Sequence, residues 1–420
     1  MTITIFTLVA RNYLSLALTL GDSVRHHHPE VDFRIFLADG IDGLPRNDYA
    51  HAVIALDAYL DESLEELCFK YNITEFCTSV KPILFQRLFA ESSADVVFYL
   101  DPDTVLFDRL DPVLAANPTA SIFFAPHLLH CRLVDDHAYP EYKHLWEGIF
   151  NLGFCALRRS TDTDRFLAWW DRRLRKYCFA DHFDGLHTDQ KWADYVPVYF
   201  RGALEIVAHE GVNVAHWNLD ERRLENRDGR YLVNDQTLLL FHFSGFDFKG
   251  ELLTRHTRED EQRRYMSSPI KSLAAWYRGA VHANGYGDHI ELPYRHNYYD
   301  NGAPVTAIHR RLYRATGGPA TYDRPFASKG RFYIALQRAG LMDRSSAATA
   351  NYAASTVPSL ARWTALAHLL LRAFLRVAGA RRYALLLKLF GRYARLENQA
   401  FLLETHPAAH ITATRNERSA

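Results

Sequence analysis

The sequence predicts an α/β domain built on a mixed, mostly parallel sheet flanked by helices, with a helical region at the C-terminal end. Three observations carry this. Strand-like and helix-like segments alternate up to about residue 245, the pattern of a layered α/β domain. One strand, "DVVFYL" (Asp95 to Leu100), is apolar almost from end to end, as strands covered on both faces are. After Lys249 the strand-like segments stop, and charged and leucine-rich helical text takes over.

The elements come in order along the chain. "TITIFTLVA" (Thr2 to Ala10) reads as the first strand. The next segment sets Tyr13, Ala17, Leu20 and Val24 on one face of an amphipathic helix. "FRIFLAD" and "VIAL" are further strands, and "LDESLEELCFKY" is a helix with an Asp/Ser start. "KPILFQRLFAES" is another helix, with Pro82 near the first turn, where a missing N–H costs nothing. "DVVFYL", "SIFFA", "NLGFCAL" and "TLLLFHF" continue the strands, and "REDEQRRYMSS" opens the helical part. A boundary is expected near residue 250. It gives a sheet-bearing region 1–250, a helix and loop extension 251–357 as a wall or a lid of the ligand site, and a basic amphipathic tail 358–420.

Composition narrows the class. A chain of 420 residues, 48% hydrophobic and 13% aromatic, can bury a sizeable core. Lys plus Arg equals Asp plus Glu, 49 each, so no overall field draws in nucleic acid. Cys68, Cys77, Cys131, Cys155 and Cys178 form no Cys-x-x-Cys pair and read as reduced, buried thiols of a cytoplasmic protein. The N-terminus lacks the basic-then-apolar order of a signal peptide. No uncharged apolar run reaches the ~18 residues that span a bilayer. Leucine and arginine alternate at helical spacing in 358–404, which allows either packing on the sheet-bearing region or peripheral contact with the inner face of a membrane.

"FYLDPDTVLF" (Phe98 to Phe107) delivers Asp101 and Asp103 from the end of the apolar strand, with no helix start immediately after. Ligand crevices of α/β sheets lie beyond such ends. Simple turn chemistry is the bland reading of "DPDT". A divalent ion is the sharper one, because it relieves the repulsion of two neighbouring carboxylates. A second Asp-x-Asp, Asp162 and Asp164, precedes the helix "RFLAWWDRRLRKY", where acids complement the helix dipole.

Further motifs lie in order along the chain. They are Asn12 and Tyr13 in "TLVARNYL", Lys81 before "PILFQRLF", and Asn151 and Gly153 in "FNLGFCALRR". Asp189 and Gln190 come next in "GLHTDQKWADY", then His242, Gly245 and Lys249 in "FHFSGFDFKG". "VNDQT" repeats the Asp-Gln pair at Asp235 and Gln236, in a turn leading into a strand. Each motif also has an ordinary structural reading: His242 between Phe241 and Phe243 as a core histidine, Asp189 as an N-cap, Asn151 as a strand entry, and Lys81 as a solvated lysine.

Together, over about residues 2 to 250, these motifs resemble GT-A (Rossmann-like) nucleotide-sugar glycosyltransferases, similar to the retaining glycosyltransferase family 8. The resemblance implies that Asp101, Asp103 and His242 hold Mn2+ or Mg2+ against a nucleotide-sugar diphosphate contacted by Lys249. It implies that Asn12 and Tyr13 meet the uracil and Lys81 supports the nucleotide. Asn151, Gly153 and Gly245 then line the donor, and Asp189 and Gln190 lie beside the reacting carbon. The implied activity is transfer of a hexose from a UDP-sugar to a glycan, lipid-linked glycan or protein, with retention, in cell-surface polysaccharide biosynthesis. This sequence departs from the pattern at Ala10 and Arg11, where related sequences often carry acids. It departs again at Gly250 and Glu251, in place of Pro-Trp after the lysine. Two rivals remain: a non-catalytic sugar-binding protein of the same fold, and a metal-dependent phosphohydrolase, for which too few further ligands are visible.

Overall fold

The computed structural model describes residues 1–46, 48–60, 64–133, 139–250, 252–263, 265–342 and 360–403. They divide into two compact units, residues 1–63 with 73–294, and residues 64–72 with 295–420. Residues 358, 359 and 404–420 of the expected tail lie outside the described residues.

The first unit is a mixed α/β body on a seven-stranded sheet. Its strands are β1 (Ile3–Val9), β2 (Asp32–Leu37), β3 (Ala52–Ala55), β4 (Val96–Leu100), β6 (Ile122–Pro126), β7 (Phe150–Arg158) and Leu204–Ile206. From one edge the order is Leu204–Ile206, β6, β7, β4, β1, β2, β3. β7 runs antiparallel to both β4 and β6, and every other pairing is parallel. All five residues of β4 are buried, as its unbroken apolar text requires. The antiparallel sense of β7 has a structural consequence. Its first residues lie at the same rim as the last residues of β4, with Phe154 opposite Leu100.

The expected strand "TLLLFHF" does not join this sheet. Its residues Leu240–His242 pair antiparallel with a short strand β5 (Thr104–Leu106), as a separate two-stranded ribbon. The reason is local. After β4 the chain turns, the Thr104 N–H donates to the Asp101 carbonyl at 3.0 Å, and β5 leaves the sheet to find its own partner.

Other differences are small. Tyr13 belongs to a 3₁₀ turn (Arg11–Tyr13) ahead of the helix Leu14–His27 and is exposed, so it lies off that helix's buried face. Among the described residues of "LDESLEELCFKY", Leu60 ends the helix Leu56–Leu60 and Glu65–Lys70 forms another, while in "REDEQRRYMSS" an α-helix covers Glu259–Gln262 and Ser268 opens the next one. All five cysteines are free, and Cys131 is exposed where a buried thiol was expected, because it lies in a loop.

The sheet-bearing unit continues past residue 250 to Tyr294. Helix Ser268–Ala283 lays Tyr277 flat against Phe243, ring centroids 3.7 Å apart. Asn284 then donates to Thr19 Oγ1 (3.1 Å) and Asp22 Oδ2 (2.9 Å) on helix Leu14–His27.

The second unit is helical, with Phe69 packed among Tyr299, Tyr313 and Phe332. Arg310 is buried there and donates to the carbonyls of Cys68, Phe69, Tyr71 and His296 at 2.7–2.8 Å. Arg310→Met would leave these buried acceptors short of a donor. It should destabilise the full chain by about 2–4 kcal/mol, read as a lower urea midpoint. An unchanged midpoint would show that the guanidinium is dispensable.

Candidate active site

The site begins where β4 ends. The Asp101 N–H donates to the Gly153 carbonyl at 2.8 Å, and the Tyr99 hydroxyl donates to Asp101 Oδ1 at 2.6 Å. Two residues on, Asp103 enters the turn, and its carbonyl accepts the Phe243 N–H at 2.8 Å. That bond and the pairing of His242 with Thr104 fix the ribbon's register. They bring His242 Nε2 to 3.1 Å from Asp103 Oδ1 and 3.7 Å from Asp101 Oδ2. One ligand-type atom from each of the three residues lies within 4.8 Å of the others.

The imidazole is oriented from behind. His242 Nδ1 lies 3.1 Å from Asn213 Oδ1, so it donates there and turns the Nε2 lone pair toward the carboxylates. Asn213 is buried, with a φ of 57°, a conformation asparagine tolerates better than most residues. Burial alone would lower the His242 pKa and raise that of Asp103. Their mutual attraction overrides both, holding His242 above and Asp103 below the ordinary values.

Two carboxylate oxygens and one imidazole nitrogen with a hydrogen-bonded back side suit Mn2+, or Mg2+ as an oxygen-preferring alternative. Gly153 shows how tightly the group is enclosed. A Cβ there would stand 2.6 Å from both Asp101 Oδ2 and His242 Cε1. The glycine is needed for close approach, and its φ is not of the left-handed kind.

The start of β7 forms the next wall. Asn151 Oδ1 accepts from Gly153 N and Asn213 Nδ2, each at 3.1 Å. The Gln190 amide accepts from Leu152 N at 3.2 Å and donates to the Glu147 carbonyl at 2.7 Å. Gln190 therefore braces the strand start. Asp189 does not cap its short helix. Its carboxylate lies 2.9 Å from the Lys81 ammonium, with both side chains almost fully buried. Lys81 also donates to the Leu152 carbonyl at 3.0 Å and sits 4.0 Å from the Tyr99 ring centroid. Lys81 is thus neither solvated nor free for a phosphate, and it anchors Asp189. Although burial works against its charge, Asp189 and Asp101 raise its pKa.

Asn12 and Tyr13 sit just past the end of β1, at the rim where parallel β4 also ends. Arg11, just before this pair, is committed elsewhere. Its backbone N–H and Nε donate to the buried Asp39 at 2.9 and 3.2 Å. Gly245 has a φ of 64°, and a Cβ there would meet His256 Nε2 at 2.3 Å. Lys249 is exposed, and among the described residues its ammonium makes no ion pair.

No protein-family model matches the chain. It is 25% identical over 254 residues to the uncharacterized protein YfnD of Bacillus subtilis (strain 168), covering 58% of this chain and 78% of that protein. It is 26% identical over 196 residues to YfnF of the same strain, covering 46% and 64% respectively. Among solved structures it is similar to the galactosyltransferase LgtC in complex with donor and acceptor sugar analogs. That match has 15% identity and a TM-score of 0.38, and covers 70% of this chain and 98% of LgtC. It is also similar to apo mouse xyloside xylosyltransferase 1, with 12% identity, a TM-score of 0.36, and coverage of 58% and 97%.

Several participants carry no signal in the sequence. Asn213 stands in "GVNVAHW" beside no motif, and only the fold brings it behind His242. A second group, His127, His144 and Glu147, also gathers ligand-type atoms within 4.8 Å. His127 Nε2 lies 3.4 Å from Asn151 Nδ2, burial lowers its pKa to about 3, and its ring stacks on His144. The decoys stay decoys: Asp162 pairs with Arg165 in the first turn of its helix, and Asp235 takes a φ of 66° in a turn.

Asn213→Ala should weaken Mn2+ binding about 10–100-fold, measured by calorimetric titration. Gly153→Ala should abolish it with the far-UV circular dichroism unchanged. Lys81→Met, which strands a buried carboxylate, should cost about 3–5 kcal/mol of stability, read by denaturant titration. Wild-type behaviour in any of the three would contradict the role given to that residue.

Proposed function

We propose that the chain is a metal-dependent glycosyltransferase. It moves a hexose from a nucleotide-diphosphate sugar, a UDP-sugar, to a glycan, lipid-linked glycan or protein acceptor, with retention of configuration. The observation that carries the reading is the convergence of Asp101, Asp103 and a back-bonded His242 at the carboxyl rim of the sheet. A phosphohydrolase of the two-metal kind would need a second Asp/His ligand set about 3.5–4 Å from the first ion. Among the described residues His127, His144 and Glu147 form a ligand group separate from Asp101, Asp103 and His242.

In this reading Asp101, Asp103 and His242 hold Mn2+ or Mg2+, and the bound ion supplies positive charge to the departing diphosphate. Lys249, exposed on the loop after His242, adds its ammonium as the leaving group gains charge. Asn151 orients the sugar hydroxyls from β7, the buried Lys81–Asp189 pair holds that wall from beneath, and Gln190 keeps the start of β7 in place. Asn12 and Tyr13 receive the base. Among the described residues His216 Nδ1 and Trp217 Nε1 are buried and find no hydrogen-bond partner, and Trp217 stands edge-on to His242 at 5.2 Å. Such polar edges suit a ligand rich in hydroxyl groups.

The test uses the full chain with Mn2+ and a panel of UDP- and GDP-sugars, reading thermal shift and slow donor hydrolysis. One UDP-sugar should raise the melting temperature and be hydrolysed only when Mn2+ is present. Asp101→Ala and Asp103→Ala should each reduce hydrolysis about 100–1,000-fold, the scale of losing transition-state charge stabilisation. Undiminished turnover in EDTA, or full activity in either variant, would remove the mechanism.

A further inference from the structure

From Trp363 to Arg395 the sequence carries seven Arg and Lys residues and no Asp or Glu. Nearly all of this segment lies in one long helical stretch, Leu360–Ala394, broken where Gly379 adopts φ 78° and ψ 164°. Each half is two-sided. Before the break, Trp363, Leu366, Leu370, Phe374 and Val377 recur at spacings of three and four, which puts them on one stripe. His368, Arg372 and Arg376 recur every four residues on the opposite stripe. After the break, Tyr383, Leu386, Phe390 and Tyr393 form the apolar stripe, with Arg381, Lys388 and Arg392 on another face.

The apolar stripe is not buried. Trp363 is 63% exposed, Leu370 59% and Val377 89%. The chain just beyond these helices is fastened down: Glu397 faces Arg311 and Arg314 at 3.6 and 3.2 Å, and Ala400 is buried with Leu312 and Phe332. An anchored end therefore presents two successive helices whose leucine and aromatic faces are largely exposed, in a stretch of sequence that carries cations and no acid. Among the described residues no helix is long and apolar enough to cross a membrane.

We propose that residues 363–394 are an interfacial docking element that lays the chain on an anionic phospholipid surface, apolar stripes in the acyl boundary and cations at the headgroups. Charge selects this occupant. A second copy would bring a like-charged helix against each face, whereas an anionic bilayer neutralises every cation. Membrane docking of this kind is independent of glycosyl transfer and survives if that reading fails.

The experiment is flotation of the full chain with phosphatidylcholine vesicles, with and without phosphatidylglycerol. The chain should float with the anionic vesicles only and be released by high salt. The triple variant Arg372→Glu, Arg376→Glu, Arg381→Glu should bind at least about 100-fold more weakly, at about tenfold or less per lost contact. Phe374→Ser with Val377→Ser should weaken binding while its salt dependence persists. These positions are exposed, so circular dichroism should match the wild type. Recovery at the bottom of the gradient with both vesicle types, or flotation indifferent to charge reversal, would overturn the proposal. So would a dimer that Phe374→Ser dissolves in a chain that floats with neither.

Discussion

The pairing of the two short strands Thr104–Leu106 and Leu240–His242 is the constraint on which the rest of the site depends. Strand geometry sends successive side chains to opposite faces. Phe241 and Phe243 go into the apolar layer with Ile270, Leu273 and Tyr277, so His242 must point the other way. That way lie Asp101 and Asp103. The alternation that makes His242 look like an ordinary core histidine is the same alternation that aims it at the carboxylates. A slip of one residue in this ribbon would turn the imidazole into the apolar layer and set a phenylalanine against two acids.

The sheet supplies the second half of the arrangement. Because β7 runs against its neighbours, the polar head of that strand arrives at the rim where β1 and β4 finish. Asn151 then serves both directions, toward Asn213 behind the histidine and toward His127 on the other side. Below, the Lys81–Asp189 pair and the Tyr99 hydroxyl occupy a dry layer. Their positions are set by packing and would hold with or without a ligand, which is what preorganisation means physically.

The parts of this architecture legible in the sequence are those with local causes. The unbroken apolar text of β4, the acids at its end and Pro82 in its helix's first turn all depend on neighbours in the chain. Asn213 and Asp39 cannot be read in the same way, since each acquires its role from a partner 29 or 28 residues away. The ribbon reads as a strand of the main sheet because a short apolar run such as 238–241 looks alike wherever it pairs. Lys81 reads as a nucleotide contact or a solvated lysine; the fold buries it against Asp189, a pairing that no spacing rule announces. The continuation of the first unit to Tyr294 rests on Phe243 meeting Tyr277, a contact between two aromatic residues among many.

The most direct test is anomalous diffraction from crystals of the full chain soaked in Mn2+. One strong peak is expected about 2–2.4 Å from carboxylate oxygens of Asp101 and Asp103 and from His242 Nε2. Absence of a peak at that rim, with manganese bound elsewhere or not at all, would contradict a metal centre built on these three side chains.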